Sequence, residues 1–299
     1  MLAKKIRLDD LIFQKGLVSS CNKSTALVME GKVTVDGKII TKPGFAVSET
    51  SEISVKESAE FVSRGGIKLK KALEEFSICV KDKICLDVGA STGGFTDCLL
   101  KNGAKKVYCV DVGYGILDSK LRNDPRVVVI EKTNIRYFGR RELTRIVERE
   151  LARIERRELS RIKERVMPKA DPPSAEITRI SHTLHITHYT LHDFLPDLAV
   201  IDVSFISLEK VLPKVKELVK TGGEIIALLK PQFEAPKGST KNGVVQDEKI
   251  RQQTIDKIKN FSKTLGLSFL GEAPSPIKGP KGNLEHFLYF RNSNEAQSE

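Results

Sequence analysis

The stretch Ile84–Asp97, ICLDVGASTGGFTD, constrains this chain more than any other. An apolar run ends in Asp87. A loop of small residues, Gly89-Ala90-Ser91-Thr92-Gly93-Gly94, follows at once, and then an apolar, helix-compatible segment from Phe95 to Leu100. Strand, glycine loop and helix make the opening unit of a nucleotide-binding α/β domain. Glycine lets backbone approach a ligand closely, and the start of the helix offers unpaired N–H groups. The loop is not G-x-G-x-x-G, which argues against a dinucleotide. Roughly twenty residues on, Val107 to Val110 reads as a second strand ending in Asp111, an acid able to accept from both ribose hydroxyls of a bound nucleoside. Asp87 before the loop and Asp111 after the second strand form the pattern of an S-adenosylmethionine site. Gly89, Ser91, Thr92, Gly93, Gly94, Phe95 and Val112 are the positions flanking it.

The rest of the domain repeats the alternation. Val127 to Ile130 reads as a third strand, closed by Thr133-Asn134, where Asn134 is placed to contact a base. Leu198 to Ile201 is a fourth, ending in Asp202; a helix from Leu208 to Val219 follows. Ile225 to Leu229 is a fifth, ending in Lys230-Pro231. A polar helix from Gln246 to Phe261, a sixth strand from Leu267 to Leu270 and a last strand from Leu284 to Phe290 complete a seven-stranded, mostly parallel, doubly wound α/β sheet. Ligands of such sheets bind at the C-terminal strand ends, and Asp87, Asp111, Asp202 and Lys230 all fall there. In the loop after Asp111, Tyr114 is an aromatic able to cover an adenine.

Residues 1–60 read as a separate α+β module. Leu8, Leu11, Ile12 and Phe13 have helical spacing up to Gly16; a second helix carries Ala26, Leu27 and Met29 up to Gly31. Val33-Thr34-Val35, a tight Asp36-Gly37 turn and Lys38-Ile39-Ile40 read as a hairpin, with Ile53–Val55 a later strand. Two short helices and a VxVDG hairpin resemble the S4 RNA-binding domain. The whole chain carries 50 basic and 39 acidic residues, a surplus of +11 that favours a polyanionic partner. Lys4, Lys5, Arg7 and Lys23 are candidate phosphate contacts, with Arg64 in the connector 61–66. After that connector a helix from Ile67 to Phe76 carries one apolar stripe, and on spacing alone its Lys68 is a surface lysine.

Five cysteines form no CxxC pair; Cys85, Cys98 and Cys109 sit in apolar segments as small core residues. That usage fits a reducing, cytoplasmic setting. No signal peptide is visible after Met1, and no apolar run approaches the roughly 18 residues of a membrane span.

Residues 139–192 form a long charged insertion. Its first half repeats RELTRIVE, RELARIER and RELSRIKE, with arginine at 141, 145, 149, 153, 157, 161 and 165. On a helix these make a slowly winding basic stripe, readable as a rail for RNA phosphates or as a solvated, charge-laced face. Repeats expand without function, which favours the second reading. His182, His185, His188 and His192 follow among strand-favouring residues. Residues three apart on a strand face opposite ways, so no metal site is expected.

VSRGGIKL (62–69), LDVGASTGGFTD (86–97), VDVGYG (110–115), LRNDPRVVVIEKTN (121–134), IDVSFISL (201–208), LLKPQFE (228–234), GVVQDE (243–248) and GPKGNLEHFL (279–288) together resemble the TlyA, or hemolysin A, family of ribosomal RNA 2′-O-methyltransferases. The resemblance implies a Rossmann-like class I methyltransferase domain over 67–291 behind an S4 module, with 292–299 a disordered tail. It also implies S-adenosylmethionine as cofactor and cytidine ribose methylation in ribosomal RNA. The family's catalytic Lys-Asp-Lys-Glu set falls on Lys68, Asp202, Lys230 and Glu285, with Lys230 as base. Two other classes stand beside this: a non-catalytic S4-type RNA-binding protein with a vestigial domain, and a membrane-active haemolysin.

Overall fold

A computed structural model of the chain describes residues 5–18, 20–29, 31–55, 60–166 and 194–293, without the side chains of residues 23, 26, 154, 155, 157–166 and 280. These divide between two units, Met1–Glu60 and Phe61–Glu299.

The first unit runs β1 (Lys5–Arg7), α1 (Leu8–Gln14), α2 (Cys21–Met29), β2 (Val33–Val35), β3 (Lys38–Ile39), β4 (Ala46–Ser48) and β5 (Ile53–Val55). β2 lies between β3 and β5, antiparallel to both. Asp36 and Gly37 are both left-handed, as a two-residue hairpin turn demands. Leu8, Leu11 and Ile12 at helical spacing meet Val33 and Val35 at strand spacing in one core, joined by Leu27, Val28 and Val47. The β1–β4 pair is an addition to the elements expected; three residues each, partly charged, are too few to show an alternation.

The second unit holds β6 (Ile84–Val88), β7 (Lys106–Val110), β8 (Val127–Ile130), β9 (Leu198–Ile201), β10 (Glu224–Leu229), β11 (Leu267–Pro274) and β12 (His286–Asn292). Their order is β11-β12-β10-β9-β6-β7-β8. β12 runs antiparallel to both neighbours and the remaining pairs are parallel. Successive residues of each strand serve opposite faces. Ile84, Leu86 and Val88 of β6 join one core cluster and Cys85 the other. Burial on both faces is why the central strands read as unbroken apolar runs. α3 (Arg64–Glu75) and α4 (Gly94–Lys101) cover the Cys85 face. α6 (Arg140–Val166), α7 (Leu212–Leu218) and α9 (Glu248–Thr264) cover the other. Two one-turn helices, α5 (Ser119–Arg122) and α8 (Pro231–Glu234), sit at loop positions.

Several element ends differ from the sequence reading by a few residues, and four differences bear on the architecture. Residues 61–66 are part of the second unit: α3 starts at Arg64, and Phe61 is buried against it. The helix expected over 208–219 is a 3-10 turn, Leu208–Lys210, followed by α7, which starts beside Pro213. The opening of the charged insertion is structural. Leu143 and Val147 of α6 are buried in the sheet's core, supplying the crossover helix that parallel β8 and β9 require. Asn292, assigned to the tail, ends β12 in the core and donates to the carbonyls of Val219 and Lys220 at 3.0 and 3.1 Å. Residues 167–193, with the four histidines, and 294–299 lie outside the described residues. Cys85, Cys98 and Cys109 are buried, and none of them forms a disulfide among the described residues. Among the described residues no helix is long and apolar enough to cross a membrane.

Candidate active site

The crest of β6, β7 and β9 is stitched together by backbone. Gly89 N–H donates to Val110 O at 2.8 Å, and Asp202 N–H donates to Val88 O at 2.9 Å. Gly89 is left-handed, and a Cβ there would lie 2.5 Å from the carbonyl oxygen of Asp202. No other residue lets the two strand ends come so close.

Two cavities open over this crest. One, of about 690 Å³, is lined by Gly89, Ser91, Asp111, Val112, Asn134, Asp202, Ser204 and Phe205 among others. Asp111 accepts from Ser91 N–H at 2.8 Å and Gly113 N–H at 2.7 Å. Its carboxylate is thereby fixed at the cavity wall with lone pairs to spare. Asn134, on the wall of the same cavity, accepts from Arg136 N–H at 3.1 Å through its carbonyl oxygen. The second cavity, about 710 Å³, is lined by Arg64, Lys68, Gly89, Ser91, Thr92, Gly94, Phe95, Asp202, Ser204 and Lys230. Gly89, Ser91, Asp202 and Ser204 line both cavities.

Lys230, the residue after β10, pairs with Asp202 at 2.6 Å and donates to Ser204 Oγ at 2.9 Å. Lys68, on α3, donates to Glu285 at 2.6 Å. Both ammonium groups are nearly out of solvent, with Lys68 7% and Lys230 8% exposed; Glu285, just before β12, is 1% exposed. Lys68 is therefore no surface lysine. α3 lies over the edge of the sheet's C-terminal end with its lysine inward, a turn of the helix that local spacing does not reveal. The two lysines open onto the same cavity.

Asp87 and Gly93 line neither cavity. Asp87 is fully buried beneath the glycine loop, accepting from Thr96 Oγ1 at 2.6 Å. Burial, with Asp202 and Asp111 nearby, pushes its carboxyl up to about 7. Its other oxygen, Oδ1, is buried with no hydrogen-bond partner among the described residues. Tyr114 is exposed, its ring covered by the Lys132 ammonium at 4.3 Å, and it is not among the cavity-lining residues. Of the candidate RNA contacts, Lys5 is exposed. Arg7 is held by Asp9 through two hydrogen bonds, 3.1 and 2.7 Å. Arg64 lines the second cavity and donates to Lys278 O at 3.1 Å. Lys4 and the Lys23 side chain lie outside the described residues.

Sequence reading missed Ser204, Thr96, Phe205 and Glu234. Phe205 is 91% exposed with a left-handed backbone, its ring centroid 5.1 Å from that of Phe233. Glu234, on α8, is buried, and burial raises its carboxyl. It accepts from Ser207 Oγ at 2.6 Å and Leu208 N–H at 2.7 Å, tying the loop after β9 to the loop after β10. The signal was present: all but Thr96 lie in the loops following Asp202 and Lys230.

Comparison with known proteins bears on these features. The model of the FtsJ-like methyltransferase family matches residues 61–292, and that of the S4 domain matches residues 6–53. The 16S/23S rRNA (cytidine-2′-O)-methyltransferase TlyA of Mycobacterium tuberculosis is 38% identical over 97% of this chain and 91% of its own length. Hemolysin A of Brachyspira hyodysenteriae is 35% identical over 95% of this chain and 99% of its own. A solved structure named as a hemolysin, from Streptococcus thermophilus, superposes with a TM-score of 0.61 at 35% identity, covering 97% of this chain and 89% of that one. With most of its length thus matched, the chain belongs to the FtsJ-like methyltransferase family and carries an S4 domain ahead of the methyltransferase domain.

Proposed function

We propose that this chain transfers a methyl group from S-adenosylmethionine to a ribose 2′-hydroxyl of cytidine in ribosomal RNA. The observation that carries the reading is the meeting of Lys230, Asp202 and Ser204 at the seam between the two cavities, with Lys68 and Glu285 on the wall of the second. The residues fit the cofactor: Asp111 and Asn134 would hold its nucleoside end, and the loop from Gly89 to Phe95 would follow its amino-acid end. Asp87, with Gly93, would act from below by setting that loop. Bound there, S-adenosylmethionine supplies a methyl already activated by a sulfonium, so the protein's work is alignment and one proton.

Asp202 and Ser204 fix the position of Lys230 Nζ. As the free amine, that nitrogen would accept the 2′-hydroxyl proton. Asp202, whose side chain is partly open to water, offers the proton a route out. Lys68, locked by Glu285, would place a second positive charge beside the developing alkoxide. Arg64 would meet substrate phosphate at the cavity mouth. Lys5 and Lys23, with Lys4 and Arg7, would give the S4 unit a basic face toward the ribosomal subunit. The reading places the enzyme in the cytoplasm, where its substrate is made.

Two measurements test this. Ribosomal RNA from cells with and without the gene should differ at cytidines whose 3′ phosphodiester resists alkaline cleavage, the signature of a blocked 2′-oxygen. Methylation on a base would refute the assignment. Lys230→Ala should abolish transfer while calorimetry shows cofactor binding retained; activity preserved in that variant would remove Lys230 as the base.

A further inference from the structure

We propose that the outward face of α6 is a docking ledge for RNA phosphates, with Arg141, Arg145, Arg149 and Arg153 as its contacts; the inference rests on the RNA-methyltransferase reading and extends it to the insertion. α6 begins four residues after Arg136, which lines the first cavity. Its apolar edge is committed: Leu143 and Val147 are buried in the sheet's core, with Ile146 and Leu151 packed against them. The helix cannot roll, so its opposite face is held toward solvent. Arg141, Arg145, Arg149 and Arg153 are all exposed, in a row that starts opposite the buried edge and winds toward its flank.

Four residues advance a helix by about 6 Å and about 40°. The guanidinium groups therefore rise in a shallow spiral, at a step close to that between successive phosphates on one strand. The acids on this stretch do not cancel it. Glu142 folds back to accept from Gly139 N–H at 3.0 Å, at the start of the helix. Glu150 is half-buried and reaches Arg153 at 3.6 Å. Glu148 is exposed and lies beside the arginine row. Arginine presents a planar fork that matches a phosphate. An anionic membrane is the poorer partner, because a surface-lying helix needs a free apolar face and this one is used.

The test is binding of a ribosomal RNA fragment to the intact chain across a salt series. Changing the four arginines to glutamine should weaken binding at least tenfold at 0.15 M salt. It should also flatten the plot of log affinity against log salt by about 2–4, given a slope of about 0.7–0.9 per phosphate contact. Changing them to lysine should restore most of both, and Glu148→Gln should tighten binding. Cofactor affinity and melting temperature should stay at the parent values in every variant. An unchanged affinity and salt slope in the glutamine variant would overturn the ledge, as would an equal loss in glutamine and lysine variants accompanied by a lower melting temperature. If the parent chain binds RNA through these arginines yet methylates none, the function reading fails and the ledge stands.

Discussion

Lys68 and Glu285 are separated by 217 positions in the chain and by 2.6 Å in the fold. Both are buried, so each compensates the other for leaving water. Removing one side of such a pair is costly where removing both is not. Lys68→Met should lower stability by about 3–5 kcal/mol, and adding Glu285→Leu should recover much of that loss; urea unfolding of the two variants decides it. A cost for the single variant under about 0.5 kcal/mol, the level of a surface change, would mean the pair is not closed. Asp87 gives a prediction with a sign. Unfolded, an aspartate ionises near pH 4; buried under the glycine loop it does so at about 7. Between those values the folded chain keeps a proton that the unfolded chain has released, so unfolding free energy should fall as pH rises from about 4 to about 7. Above that window both states are ionised and the penalty is constant. Asp87→Asn should flatten this segment of the profile, measured by denaturant midpoints between pH 5 and 8.

At the scale of elements, the site depends on loops that are held from behind. Glu234 on α8 accepts from Ser207 and from Leu208 N–H, and the loop it anchors carries Asp202, Ser204 and Phe205. Glu234→Ala leaves the buried Leu208 N–H without its acceptor and takes one acceptor from the half-buried Ser207 hydroxyl, at a cost of about 1–3 kcal/mol. Its larger effect should be kinetic: displacing the Asp202–Lys230 pair by an ångström would slow transfer on the order of 100-fold. Glu234→Gln, which keeps an acceptor for Leu208, should retain most of the rate. A single-turnover methylation assay on both variants separates the two roles. α6 teaches a different lesson. Its arginine repeat drew attention as a charge pattern, yet Leu143 and Val147 inside the same repeat are the core residues that make the helix part of the fold.

For the whole molecule, the hydrophobic clusters respect the division at residues 60 and 61. One is built from Leu8 to Val47 and the others from Phe61 onward. A unit with its own core has the means to fold by itself. Residues 61–299 alone should therefore bind S-adenosylmethionine with the affinity of the full chain, while affinity for ribosomal RNA drops at least tenfold; calorimetry and filter binding read the two. Failure of the fragment to fold would show that the first unit is needed for the second. Strand identities, the glycine loop and the acids at strand ends were legible from local pattern, because burial on both faces writes an apolar run and a tight turn demands small residues. The family resemblance named Lys68, Asp202, Lys230 and Glu285, but spacing alone left Lys68 on the surface and said nothing of Ser204, Glu234 or the burial of Asp87. Those depend on how α3 is turned over the sheet and how loops from distant strands meet. What the amino-acid order determined was which segments are strands, helices and turns, since these follow from short-range periodicity. What only the tertiary structure decided was which charges share a cavity and which are shut away from water, since that is a property of surfaces brought together from opposite ends of the chain.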